Sequence, residues 1–340
     1  MKSRNKIIFR LDAGDSKGYG HLSRNLTLAK AFSKQGYGSY FLIKTNDPDA
    51  VKRFITQRIN PIPPAGFLPE NLERNKELES IRQLYRNEFS FLILDHYQVD
   101  KEYQTALKNC GIPWAQFDYR QKEPLFADAV INPNIGVTPA DYINIVDNST
   151  ILCVGERYAI VDDKFKGLQR KPKKNRVLIA MGGGRLPDQV VSMIETVISF
   201  KDYHFEILTG DKRLSRKLND AENISLHFNT ENVGEVYSLC GFAIVAGGVT
   251  TYELAYLGIP MLIAPFAENQ QKNAKAWHKK QFGLNFSITA EFTEQLLTSG
   301  LKNLHLQLQQ HFKRKEDNID GEGANRIATK ILKIIPDEKN

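Results

Sequence analysis

Residues 6–24 read Lys6-Ile7-Ile8-Phe9-Arg10-Leu11-Asp12-Ala13-Gly14-Asp15-Ser16-Lys17-Gly18-Tyr19-Gly20-His21-Leu22-Ser23-Arg24. The first six are mostly apolar and predict a strand over 6–11. Glycines follow, where a chain must turn tightly. Leu22, Leu26, Ala29 and Phe32 then recur at helical spacing up to Gly36, which predicts a helix over 20–35. Strand, glycine turn and helix in that order open a parallel α/β sheet.

The pattern repeats outward from there. Apolar runs at 40–43, 89–94, 112–117 and 129–131 read as strands, and the run 89–94 is continuous, as in a strand buried on both faces. A polar helix is expected over 70–86. At 169–176 the sequence Gln169-Arg170-Lys171-Pro172-Lys173-Lys174-Asn175-Arg176 holds no apolar residue and reads as a solvated linker. After it the strand–turn–helix alternation restarts. Strands are expected at 177–181, 205–208, 242–245 and 259–264, with helices at 187–200, 250–257, 270–280 and 324–335. The expected fold class is therefore α/β, with two Rossmann-like doubly wound domains facing a cleft: 1–165, then 175–323, then a C-terminal helix over 324–340.

The chain has 340 residues, which suits two domains of ordinary size. With 41% hydrophobic and 25% charged residues, it is neither disordered, fibrous nor a polytopic membrane protein. Lys plus Arg is 46 against 39 Asp plus Glu, a net charge of +7 that favours anionic ligands without marking nucleic acid as a partner. Cys110, Cys153 and Cys240 lack zinc-ligand or disulfide-framework spacing and fit a reducing compartment. No signal-peptide pattern and no bilayer-length apolar stretch is legible, so the expected location is the cytoplasm, without stable membrane insertion. Oligomeric state has no signature here.

Five motifs carry chemistry, each after an expected strand and before an expected helix. Gly18, Gly20 and His21 place a glycine turn, a helix N-terminus and an imidazole together, suited to holding an anion and moving a proton; a helix-capping turn is the plainer reading. The third glycine of a dinucleotide fingerprint is missing, because Ser23 stands there. Asp95-His96-Tyr97 ends an apolar strand with three polar side chains, for acid–base work or for orienting a sugar; a solvated sheet edge is the alternative. Gly247, Gly248, Thr250 and Glu253 form a second backbone cradle, with a carboxylate able to accept from a ribose diol. Glu268, Asn269 and Gln270 read either as helix capping or as contacts to sugar and phosphate. Gly182-Gly183-Gly184 is a turn needing close approach or hinge freedom, with Gly183 at its centre. No metal-ligating cluster is legible, and no cofactor is expected.

Taken together, Arg10, Asp12, Gly18, Gly20, His21 and Arg24, then Asp95 and Tyr97, then Gly247-Gly248, Glu253, Gly258-Ile259-Pro260 and Ala267-Glu268-Asn269-Gln270 resemble the UDP-sugar hydrolases of pseudaminic acid biosynthesis, with the spore coat polysaccharide proteins as close relatives. The resemblance covers about residues 6–285. It implies a GT-B fold like that of the undecaprenyl-linked N-acetylglucosaminyltransferase of peptidoglycan synthesis. It also implies hydrolysis of UDP-2,4-diacetamido-2,4,6-trideoxy-β-L-altropyranose to UDP and free sugar, by C–O cleavage with inversion. His21 falls on the family's catalytic histidine and Tyr97 on the tyrosine near the anomeric centre. Arg10, Asp12, Gly18, Gly20, Arg24, Asp95, Gly183, Gly247, Gly248, Thr250, Glu253, Glu268, Asn269 and Gln270 fall on expected substrate or nucleotide contacts. The sequence departs from the family at Asp118, which stands where members tend to carry two aspartates. A GT-B glycosyltransferase with a UDP-sugar donor, or a non-catalytic nucleotide-sugar binding protein, are the alternative functions.

Overall fold

The computed structural model describes residues 5–14, 17–119, 123–197, 199–218, 221–228, 230, 232–286, 290–312 and 319–335, without the side chains of 87–88, 269 and 290–300. The chain divides into two compact units, Met1–Val161 with Gly321–Asn340, and Asp162–Asp320.

The first unit runs β1 (Lys6–Asp12), α1 (Gly20–Ser33), β2 (Gly38–Lys44), α2 (Pro48–Thr56), β3 (Ala65–Leu68), α3 (Arg74–Glu88), β4 (Phe89–Asp95), α4 (Lys101–Asn109), β5 (Trp114–Phe117), β6 (Ala129–Asn132) and β7 (Ile151–Val154). The second runs β8 (Lys173–Ala180), α5 (Asp188–Val197), β9 (His204–Thr209), α6 (Arg213–Leu218), β10 (Ile224–Phe228), α7 (Val233–Leu239), β11 (Cys240–Val245), α8 (Thr250–Tyr256), β12 (Met261–Ile263), α9 (Glu268–Lys279), β13 (Gly283–Asn285) and α10 (Ala290–His311). The final helix, α11 (Gly323–Leu332), belongs to the first unit. Both sheets are parallel: seven strands in the order β3-β2-β1-β4-β5-β6-β7, and six in the order β10-β9-β8-β11-β12-β13. These are two doubly wound α/β layers with the strand order reversing beside β1 and beside β8, the places where such sheets bind ligands.

Alternation along the central strands builds two cores in the first unit. Ile7, Phe9 and Leu11 of β1 join Phe91 and Ile93 of β4 under α1 and α11, while Ile8, Leu92 and Leu94 face α3 and α4. Helix α11 seats Ile327, Ala328 and Ile331 in the first of these cores, and its Lys330 Nζ donates to the Leu152 carbonyl. In the second unit Val177, Ile179, Phe205, Ile207, Phe242 and Ile244 pack with α5 and with Leu301, Leu304 and Leu308 of α10.

The basic run 169–176 is not wholly a linker. Lys173 begins β8 opposite Cys240 of β11, and Arg170 donates to the carbonyls of Cys240, Leu257 and Gly258. The first half of β8 faces solvent, so it needs no apolar residues to pair. Helix α3 starts at Arg74 instead of 70, because the chain before it is a turn whose Leu72 carbonyl accepts from Lys44 Nζ at 3.0 Å. The short elements α2, β3, α4, β7, α6, β10, α7 and β13, and the long helix α10, have no counterpart in the sequence reading. Most are too brief for a periodic signal.

Candidate active site

Period-two alternation carries β4 past its apolar run. Asp95 emerges on the α1 side of the sheet and His96 on the α3–α4 side. Helix α1 answers with His21, Arg24 and Asn25, which share one helical face at spacings of three and four. Asp95 is fully buried, and its carboxylate gathers the cluster. His21 Nδ1 lies 2.9 Å from Asp95 Oδ1 and 3.0 Å from the Asp95 carbonyl. Arg24 donates to both carboxylate oxygens, Nε at 2.7 Å and Nη2 at 2.5 Å, and Asn25 Nδ2 donates to Oδ2 at 2.5 Å. The Tyr119 hydroxyl also bonds Asp95, and Arg24 bonds Tyr119 in turn. The Arg24 guanidinium rests 4.4 Å over the Phe117 ring.

Burial by itself would raise the Asp95 carboxyl pKa. The adjacent Arg24 and His21 overcome it and hold the group far below the usual carboxylate range. Burial raises the Tyr119 phenol well above its ordinary value, so it stays a neutral donor. An ionised carboxylate accepts only, so His21 Nδ1 is the donor and Nε2 carries the lone pair. The ring of Tyr97, 46% exposed, meets the His21 ring edge-on at 5.2 Å. This leaves a tethered imidazole able to take a proton. At the turn before it, Gly18 has φ +74°, which favours glycine, and a Cβ on Gly18 or Gly20 would meet open space.

Arg10 and Asp12 are not in this cluster. They emerge on the α3–α4 face, where Arg10, fully buried, makes two 2.9 Å bonds to Glu77 and one of 2.7 Å to Asp12. Tyr103 donates to Glu77 at 2.8 Å, and Lys44 Nζ lies 3.5 Å from it. Burial would raise Glu77, but Arg10 pulls it down to about 2. His96 sits at this network, 3% exposed, and neither ring nitrogen has a hydrogen-bond partner. Its Nε2 is 4.0 Å from Glu77, beyond bonding distance. Burial first, then Arg10, lowers its pKa to about 3, so the ring is neutral. Unsatisfied buried groups of this kind cost about 1–3 kcal/mol. Beside them lies a cavity of about 520 Å³, lined by residues of β2, α3 and the β4–α4 loop.

In the second unit, Gly247 has φ +98°, and a Cβ there would press on Ile263 at 3.3 Å and the Gln270 carbonyl at 3.4 Å. The turns that open α8 and α9 therefore lie side by side, and Asn273 Nδ2 is 3.5 Å from the Gly247 carbonyl. Gly248 and Gly183 leave open space where a side chain would stand. Glu253 is half-buried and accepts from the fully buried Tyr237 hydroxyl at 2.9 Å, while Thr250 hydrogen-bonds the same phenol. Gln270 Oε1 accepts from the backbone of Phe266 and Ala267, which makes it a cap for α9. Glu268 is exposed, and the Asn269 side chain lies outside the described residues. Asp118 is also apart from His21: it accepts from Tyr142 at 2.8 Å, which is held by Asn132.

Asn25, Tyr119 and Tyr237 are the site residues that the sequence reading missed. Asn25 stands four residues after His21 on one helix, a signal that was present. Tyr119 and Tyr237 reach their partners only through strand order and helix packing. Among the described residues no group of three His, Cys, Asp or Glu side chains could hold a metal ion, and no helix is long and apolar enough to cross a membrane.

No protein-family model matches the sequence. The chain is 22% identical over 287 residues to the UDP-2,4-diacetamido-2,4,6-trideoxy-beta-L-altropyranose hydrolase of Campylobacter jejuni, covering 83% of this chain and 99% of that one. It is 20% identical to the spore coat polysaccharide biosynthesis protein SpsG of Bacillus subtilis, covering 96% and 98%. Its fold matches the crystal structure of Acinetobacter baumannii MurG with a TM-score of 0.63 at 16% identity, over 96% and 99% of the two chains. By sequence this chain is similar to the Campylobacter hydrolase and the Bacillus spore coat protein along most of its length, and by fold it is a MurG-like GT-B protein.

Proposed function

We propose that the protein hydrolyses a UDP-sugar to UDP and free sugar, acting as a His21-dependent enzyme of surface or spore coat polysaccharide biosynthesis. The observation that carries this reading is the tether of His21 Nδ1 to a buried, ionised Asp95. That tether directs the basic Nε2 outward and stabilises the imidazolium that forms. Water loses a proton to Nε2 as its oxygen bonds the anomeric carbon. The bond from that carbon to the diphosphate oxygen breaks, its electron pair leaves with UDP, and the configuration inverts. Tyr97, against the His21 ring, orients the water or the sugar. In the second unit Glu253, aligned by Tyr237, takes the ribose diol, and the backbone of Gly247, Gly248 and Thr250 meets the diphosphate. Similarity to a hydrolase acting on UDP-2,4-diacetamido-2,4,6-trideoxy-beta-L-altropyranose makes that compound the first substrate to try.

The test is release of UDP and free sugar without an acceptor. His21→Asn and Asp95→Asn should each lower kcat by about 10²–10⁴-fold while UDP affinity, read by calorimetry, stays unchanged. Undiminished turnover by His21→Asn overturns the general-base assignment. UDP-sugar that binds tightly but turns over only when a sugar or lipid acceptor is added makes the protein a glycosyltransferase instead.

A further inference from the structure

The pair formed by His21 and Asp95 has a third charge in contact with it, Arg24, to which the mechanism above gives no part. A buried carboxylate beside an imidazole draws a proton onto the ring, because an opposite charge within about 4–6 Å favours the charged form. A ring protonated in advance has no lone pair with which to take a proton from water. The carboxylate that orients the base therefore also works to disable it. The side chains of His21, Arg24 and Asp95 are 12%, 12% and 1% exposed, so water screens little of this field.

Arg24 stands where it opposes that field. It lies one turn after His21 on α1 and grips both oxygens of Asp95 through Nε and Nη2. Its Nη2 is 3.4 Å from His21 Nδ1. Both nitrogens donate to Asp95 Oδ1, so no hydrogen bond joins them, and a second proton on the imidazole would set two cations side by side. With Asn25 Nδ2 and the Tyr119 hydroxyl, the carboxylate meets five donor atoms against about four lone-pair sites. Burial would lower the Arg24 pKa, but Asp95 and Tyr119 raise it, so the guanidinium keeps its charge. Among the described residues, the titratable or charged groups that face the His21 ring are Arg24 on α1, Asp95 at the end of β4, Tyr97 just after it, and Tyr119 after β5. Burial raises both phenols, which stay neutral. Arg24 is thus the one positive charge in this group. We propose that Arg24 sets the charge state of the general base: with help from the Tyr119 hydroxyl it neutralises Asp95, and so keeps His21 unprotonated near neutral pH while Asp95 still fixes its orientation. Arg24 is a positioning residue that acts through Asp95 and His21, and the proposal rests on the general-base reading given above.

The test removes the charge and keeps the hydrogen bonding. Arg24→Gln loses the cation but retains an amide donor, whereas Arg24→Lys retains the cation. The readout is the nitrogen-15 spectrum of His21 across pH, in the full chain carrying ¹⁵N-labelled histidine, with the signals assigned by their loss in His21→Asn. It tells a ring nitrogen with a lone pair from one with a proton, and it needs no turnover. In Arg24→Gln the His21 protonation curve should move to higher pH by about 1–3 units. In Arg24→Lys it should stay close to its wild-type position. The acid limb of kcat/KM in the release assay should move with the curve. An arginine that only braces the helix would instead lower kcat/KM by one factor at every pH and leave the curve in place. Tyr119→Phe takes a neutral donor from the same carboxylate oxygen and should move the curve in the same direction by less; it serves as the readout if Arg24→Gln does not fold. A curve that stays or moves down in Arg24→Gln, or that moves up as far in Arg24→Lys, overturns the proposal. So does an unmoved curve in Tyr119→Phe where that variant is the readout. The release assay separates the two readings. A shifted curve without turnover keeps the control of His21 by Arg24 and removes the hydrolase; turnover with an unmoved curve does the reverse; neither result removes both.

Discussion

His96 couples the fold to pH. Its folded-state pKa is depressed to about 3, against an ordinary value of 6.5, because burial and Arg10 both disfavour the imidazolium. Between those values the unfolded chain binds a proton that the native chain does not, so stability falls as pH falls from about 6.5 toward 3. The slope from this one group approaches about 1.4 kcal/mol per pH unit. Glu77, held near 2 in the fold against an ordinary 4.5, contributes alike to the wild-type chain and to His96→Asn, so comparing their urea unfolding at pH 6, 5.5 and 5 isolates His96. Over that interval the wild-type chain should lose about 1.2 kcal/mol more than His96→Asn; equal slopes would place His96 outside the buried network. Asp95 shows the same physics with the opposite charge. Burial and its partners conflict there, and the partners win, because Arg24 and His21 touch the carboxylate directly.

At the scale of elements, α11 is held by a contact with no tolerance. A Cβ on Gly323 would lie 2.1 Å from the Ala159 carbonyl oxygen and 2.6 Å from the Tyr158 carbonyl carbon, both backbone atoms that cannot rotate away. Helix α11 can therefore begin there only with glycine. Gly323→Ala should destabilise the protein by about 1–3 kcal/mol, the usual cost of overpacking, as a lowered denaturant midpoint with the m-value unchanged. A neutral result would mean that α11 does not dock where Ala159 meets it. The amphipathic pattern of 324–335 announces a helix with an apolar face. It does not say which core that face enters, and Ile327 and Ile331 make that choice only by joining Phe9, Leu22 and Phe32.

For the whole molecule, the two units differ in how the chain supplies them. The second is continuous, Asp162–Asp320, with a core of its own. The first is closed by residues from the far end of the chain. A fragment of residues 162–320 should therefore unfold cooperatively in urea, whereas a fragment of residues 1–161 should not, since its core lacks Ile327, Ala328 and Ile331. Adding 321–340 back in trans or by fusion should restore the transition.

The sequence by itself determined the alternation of strand and helix, the two parallel sheets and the loops that carry the candidate site residues. Those are written in local periodicity and glycine placement, which depend on a few neighbouring residues. His21 and Asp95 were legible because each ends or begins an element with a strong pattern. Only the tertiary structure decided their company. Parity along β1 and β4 sends Arg10, Asp12 and His96 to one face and Asp95 to the other. Strand order brings Tyr119 beside Asp95, and helix packing seats Tyr237 under Glu253. These pairings join residues 24 and 16 positions apart, and Arg10 and Glu77 are 67 apart. No local pattern encodes them, because which residue satisfies a buried charge is settled by which elements pack together.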